Sequence, residues 1–159
     1  MKELIPGLYM SNYPEVARMS EKRRAEFVKV ALLWPWEVVE GESMELAYQR
    51  YRKAPWKGEF SDYDLCFSDP EAIDMDYLDM DALNHVADQI QTNLSLGKKS
   101  VIFCKQGLER TPVAAIWFLH KYREMDVYEA ERFVRQKHPA TAHTIGNWVM
   151  QLEKADSKP

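Results

Sequence analysis

Apolar positions along the chain follow two rhythms. Phe27–Trp34 (FVKVALLW), Tyr63–Phe67 (YDLCF) and Ser100–Cys104 (SVIFC) are short runs rich in β-branched and aromatic residues, and they predict strands. Leu83, Val86, Ala87, Ile90 and Leu94 recur at helical spacing and form one apolar stripe, with Gly97 placed as the stop. Three more helical patterns follow Cys104. Pro112–Tyr122 is apolar nearly all round, as a buried helix should be. Val127–Lys137 is preceded by Asp126, which stands in capping-box spacing with Glu129. Ile145, Trp148, Val149 and Leu152 give the last stripe. Strands that alternate with helices require crossovers, so the expected fold is α/β: a mainly parallel central sheet flanked by helices in three layers. A ligand site then belongs at the carboxyl ends of the strands.

Composition narrows the class. At 159 residues the chain suits one domain, expected over residues 1–154, with residues 155–159 as a frayed tail. A hydrophobic content of 46% excludes a disordered chain, and two cysteines are too few to staple a fold of this size. The thiols are therefore expected in a reducing, cytoplasmic setting. No apolar run approaches the ~18 residues of a membrane span, and no signal-peptide core follows Met1–Gly7. The net charge of -4 argues against a stable nucleic-acid complex. The charge is unevenly placed. Residues 59–81 carry nine acids and no Lys or Arg, whereas residues 98–137 carry nine Lys/Arg against five acids. The four histidines, His85, His120, His138 and His143, lack metal-ligand spacing, so neither a metal nor a cofactor is expected.

The segment that carries chemistry is Val101-Ile102-Phe103-Cys104-Lys105-Gln106-Gly107-Leu108-Glu109-Arg110-Thr111-Pro112. It reads as a buried strand, a short loop and a helix with Pro in its first turn. A cysteine at the strand end would face converging backbone N–H groups and a helix N-terminus, a setting that binds anions and favours a thiolate. Gly107 allows a backbone conformation closed to other residues. Arg110 offers a planar fork for two oxygens of a tetrahedral anion, and Thr111 adds a hydroxyl. The loop Lys105, Gln106, Gly107, Leu108 and Glu109 would cradle a phosphate above Cys104.

Cys104, five residues, Arg110 and Thr111 resemble the signature loop of the cysteine-dependent protein tyrosine phosphatases, and the Arg110-Thr111-Pro112 continuation is similar to that of the small dual-specificity phosphatases. Ile5–Ser11 resembles the family's N-terminal strand, Met125–Gln136 the helix after the loop, and Asn147–Leu152 the last helix. The resemblance implies a phosphatase-like catalytic domain acting on phosphorylated proteins or other phosphate esters. Cys104 would be the nucleophile that forms a phosphocysteine, Arg110 the phosphate clamp, and Thr111 the group that assists breakdown of the intermediate. An aspartic general acid is implied upstream. Asp69, 35 residues before Cys104 and just beyond the strand at Tyr63–Phe67, is the expected acid; Asp74 is its competitor, and Asp64 lies within the strand.

Two positions depart from the family pattern. The usual His before the nucleophile is Phe103, and the residue before Arg110 is Glu109, whose carboxylate would repel a phosphate unless it is turned outward. Lys105 beside the nucleophile suggests highly charged substrates. Phosphoinositide or RNA 5′-end hydrolysis, and a catalytically weak phosphate-binding pseudophosphatase, are the alternative functions. Cys66 reads as a small buried hydrophobe.

Overall fold

The computed structural model describes residues 1–33, 78 and 80–156, together with the strand at residues 63–64. Its centre is a five-stranded sheet built from β1 (Lys2–Ile5), β2 (Leu8–Asn12), β3 (Phe27–Ala31), β4 (Tyr63–Asp64) and β5 (Lys99–Cys104). The strand order is β1-β2-β5-β3-β4. All neighbours are parallel except β1 and β2. The sheet is thus mainly parallel, as the alternating pattern implies.

The N-terminal segment is two strands where the sequence suggests one. Pro6-Gly7 turns the chain, Ile5 pairs with Leu8, and the result is an antiparallel hairpin. β3 stops at Ala31, short of the expected Trp34. Leu32 still donates its N–H to Phe103 O at 2.8 Å, but its carbonyl leaves the ladder. β4 includes Tyr63 and Asp64; residues 65–67 of the expected strand, and Trp34, lie outside the described residues.

Helices cover both faces. On one side lie α3 (Met80–Ser95), α4 (Arg110–Tyr122), α5 (Val127–Lys137) and α6 (Gly146–Asp156), the last entered through a 3-10 turn at His143–Ile145. They bury Leu83, Val86, Ile90, Ile116, Leu119, Val134 and Trp148 against Leu8, Met10, Val30 and Ile102. On the other side the short α1 (Tyr13–Arg18) packs on Phe27, Ala31, Val101 and Phe103 through the buried Val16, and α2 (Glu21–Arg24) lays Arg23 over the Phe27 ring. The alternation along β5 follows from the period of two in a strand: Ile102 and Cys104 face the large helical layer, and Val101 and Phe103 face the small one.

Element ends follow local chemistry. α3 closes in a Schellman motif: Lys98 N–H donates to Asn93 O and Gly97 N–H to Leu94 O, both at 3.0 Å. α5 starts where the Asp126 carboxylate accepts the Glu129 N–H at 2.9 Å. Two residues of the expected frayed tail are helical. Ala155 and Asp156 continue α6, and Asp156 Oδ1 lies 2.7 Å from His120 Nε2 on α4, which holds that last turn. Residues 157–159 lie outside the described residues.

Candidate active site

β2, β5 and β3 run parallel, so their carboxyl ends share one edge of the sheet. Cys104 is the last residue of β5 and lies opposite Asn12, the last of β2. Its thiol is free and 2% exposed. From there the chain forms the loop Lys105–Glu109 and enters α4 at Arg110. Cys104, Lys105, Gln106, Leu108, Glu109 and Arg110 line a pocket of about 150 Å³. Of the loop residues inferred from sequence, Lys105, Gln106, Leu108 and Glu109 share this cavity with Cys104 and Arg110, whereas Gly107 and Thr111 are not in its lining.

The loop is held on three sides. On the β2 side, Gly107 has φ +73°, and a Cβ built there would stand 2.7 Å from Ser11 O and 3.4 Å from Asn12 Cβ. Only glycine combines that left-handed backbone with so close an approach. On the β3 side, the Arg110 guanidinium donates from Nη1 to the Leu32 carbonyl at 2.6 Å. On the outer side, the connector between α5 and α6 touches three successive loop residues. His138 Nε2 lies 2.9 Å from Gly107 O, Ala142 N–H donates to Leu108 O at 2.9 Å, and Thr144 Oγ1 donates to Glu109 Oε1 at 3.2 Å. The connector is braced in turn. Arg135 donates to Thr141 O and Ala142 O, and Glu131 accepts from Arg135.

The electrostatics suit an anion. Arg110 is 7% exposed and stands at the first position of α4, where the helix dipole already presents positive charge. A cation there is the wrong sign for helix stability, and a bound dianion reverses that. No acidic side chain occupies the first turn of α4, and Pro112 carries no N–H to be left unsatisfied. Lys105 adds charge at the pocket, with Nζ 5.1 Å from the centre of the Tyr13 ring. The Glu109 carboxylate is retained at the rim by the Thr144 hydroxyl.

Thr111 is fully buried, and its Oγ1 has no hydrogen-bond partner among the described residues. A buried hydroxyl without a partner is costly, and Ser100 Oγ on β5 is in the same situation. Phe103 is also fully buried but on the opposite face from Cys104, packed with Val16 and Phe27. It extends the hydrophobic layer under the strand, and its carbonyl accepts from the Leu32 N–H.

The fold recurs in solved structures. Tk-PTP in its active form superimposes with a TM-score of 0.63 at 21% identity, covering 96% of this chain and 95% of that one. The human tyrosine phosphatase-like serine/threonine/tyrosine-interacting protein gives 0.68 at 13% identity over 99% of this chain and 95% of that one. The chain has the fold of the small tyrosine and dual-specificity phosphatases. Human DUSP28 shares this phosphatase fold with a TM-score of 0.64 at 16% identity, over 99% and 95% of the two chains. No family model and no curated protein matches the sequence itself.

Asp69, Asp74 and Cys66 lie outside the described residues; Asp64 stands on β4, whose partner β3 leads into Leu32. Sequence reasoning missed the outer support from His138, Ala142 and Thr144. Its one visible signal was the interruption of helical pattern at His138-Pro139, and nothing in that pattern tells which loop the connector meets.

Proposed function

We propose that the protein is a cysteine-dependent phosphatase that hydrolyses phosphate monoesters of tyrosine, serine or threonine. The observation that carries this reading is that Cys104, its own loop and the buried Arg110 line one pocket. Cys104 Sγ, as thiolate, attacks phosphorus as the bond to the leaving oxygen breaks, forming a phosphocysteine. Asp69 gives its proton to that oxygen. Water, relieved of a proton by the same carboxylate, then attacks phosphorus, and the S–P bond breaks to return the thiolate. Arg110 and the loop amides hold the equatorial oxygens while charge spreads over them. The Thr111 hydroxyl donates to the sulfur as it leaves. A reducing compartment such as the cytoplasm keeps Cys104 in the thiol form this sequence requires.

The test compares wild type, Cys104→Ser and Asp69→Asn on an aryl phosphate, with inorganic phosphate as competitor. Cys104→Ser should abolish turnover and retain phosphate binding. Asp69→Asn should slow a substrate with a poor leaving group at least about tenfold. Turnover that survives Cys104→Ser refutes the covalent route; unchanged turnover in Asp69→Asn removes that residue from the mechanism. Glu109 at the rim favours one second reading, a module that binds phosphate without hydrolysing it. Phosphate binding by a wild-type protein that turns nothing over would decide for it. A panel of phosphotyrosine and phosphothreonine peptides, inositol lipids and triphosphorylated RNA separates the substrate classes.

A further inference from the structure

The outer wall of the loop contains a histidine to which the reaction above gives no part. His138 is the C-cap of α5, and its own backbone is tied down. Its N–H donates to Val134 O at 2.8 Å, and its carbonyl accepts from both Thr141 N–H and Thr141 Oγ1, at 3.0 and 2.7 Å. The ring therefore projects from a fixed base. Nε2 lies 2.9 Å from Gly107 O, and a carbonyl can only accept, so the proton is on Nε2.

A trans peptide directs its C=O and the following N–H in opposite directions within one plane. Holding Gly107 O outward on His138 therefore turns the Leu108 N–H inward, toward the pocket that Leu108 lines. The next plane is treated the same way. Ala142 N–H holds Leu108 O, which turns the Glu109 N–H inward. Gly107 could otherwise rotate more freely than any other loop residue, since it has no Cβ to restrict its plane.

We propose that His138 is a positioning residue of the phosphate loop: by donating from Nε2 to the Gly107 carbonyl, it aims the Leu108 amide at the bound phosphate group. The inference rests on the reading of this pocket as a phosphate site. It assigns a role in anion affinity to a side chain that touches neither the nucleophile nor the substrate.

Two variants separate the donor from the bulk of the ring. His138→Gln keeps an N–H donor at similar reach, and His138→Phe keeps a ring of similar size without one. Inorganic phosphate is titrated into each variant, and the Leu108 backbone amide is followed by 15N NMR with and without phosphate. His138→Phe should weaken phosphate binding about fivefold to tenfold, the scale of one misdirected hydrogen bond, and should displace the free-state Leu108 resonance. KM for an aryl phosphate should rise in parallel. His138→Gln should restore both the affinity and the resonance. Equal losses in Gln and Phe, or a folded Phe variant with wild-type affinity and an unmoved Leu108 amide, would overturn the proposal. A wild-type protein that neither binds phosphate nor turns over the ester would instead overturn the site reading, and this inference with it.

Discussion

Replacing Gly107 by alanine tests whether the phosphate loop is set by contact with β2 or only by its own backbone. Gly97 provides the control, because its φ of +72° nearly equals the +73° of Gly107, yet nothing lies within 4 Å of a Cβ built there. Gly97→Ala therefore measures the cost of the left-handed backbone alone, about 1 kcal/mol. Gly107→Ala adds a methyl 2.7 Å from Ser11 O and 3.3 Å from Ser11 C. Ser11 cannot easily retreat, since it belongs to β2 and pairs with Phe103. Overpacking against backbone brings the further loss to about 2 kcal/mol. For a chain of this size that corresponds to a melting temperature roughly 4–8 °C below that of Gly97→Ala. The loop has one escape, which is to move away from β2, and that would relieve strain while disturbing the amides over Cys104. The assay is thermal unfolding of both variants, repeated with saturating inorganic phosphate. Gly107→Ala should show the extra loss, the disappearance of phosphate stabilisation, or both. Equal melting of the two variants with full phosphate stabilisation would refute the close approach as the reason for glycine.

Thr111→Val removes the buried hydroxyl that has no partner among the described residues and keeps the shape of the side chain. The variant should gain about 1 kcal/mol of stability in urea unfolding while its steady-state turnover falls and phosphocysteine accumulates; a loss of stability would show that the hydroxyl is paired. Asp126 is held below the ordinary carboxylate range chiefly by the Glu129 backbone N–H. A depressed carboxyl stabilises the fold above its unfolded pKa, and the contribution is lost as pH falls through the folded one. The melting-temperature gap between wild type and Asp126→Asn should accordingly be widest near neutrality and shrink below about pH 4. A gap that stays constant with pH would refute the assignment.

The parts legible in the sequence were those governed by local rules. Asp126 caps α5 because an aspartate three residues before a free N–H can reach it, and that geometry needs no knowledge of the rest of the chain. The apolar stripe from Leu83 to Ile90 is buried for the same kind of reason, and Gly97 ends α3 through its own backbone. Cys104, Gly107 and Arg110 were legible because strand, turn and helix start follow one another within a few residues. What sequence did not disclose depends on distant contact. Leu32 reads as a strand residue, and only tertiary structure shows its carbonyl receiving Arg110. α1 and α2 are short and rely on caps at Asn12 and Ser20, and α1 also on the apolar face of Val101 and Phe103. The hairpin at Pro6-Gly7 is not legible from the resemblance, because Ile5–Ser11 resembles a single strand and its turn residues lie within that span.

The three-sided support of the loop has a consequence for how the protein acquires its site. Arg110 finds Leu32 across 78 residues, and His138 finds Gly107 across 31. Entropy must be spent on closing both spans before either bond returns anything, so the pocket belongs to the late, non-local stage of folding. On the ribosome a nascent chain could pair β2, β3 and β5 while its phosphate loop still lacked the connector that follows α5. Binding competence should therefore trail secondary structure in refolding, with phosphate affinity emerging only when residues 138–144 have docked.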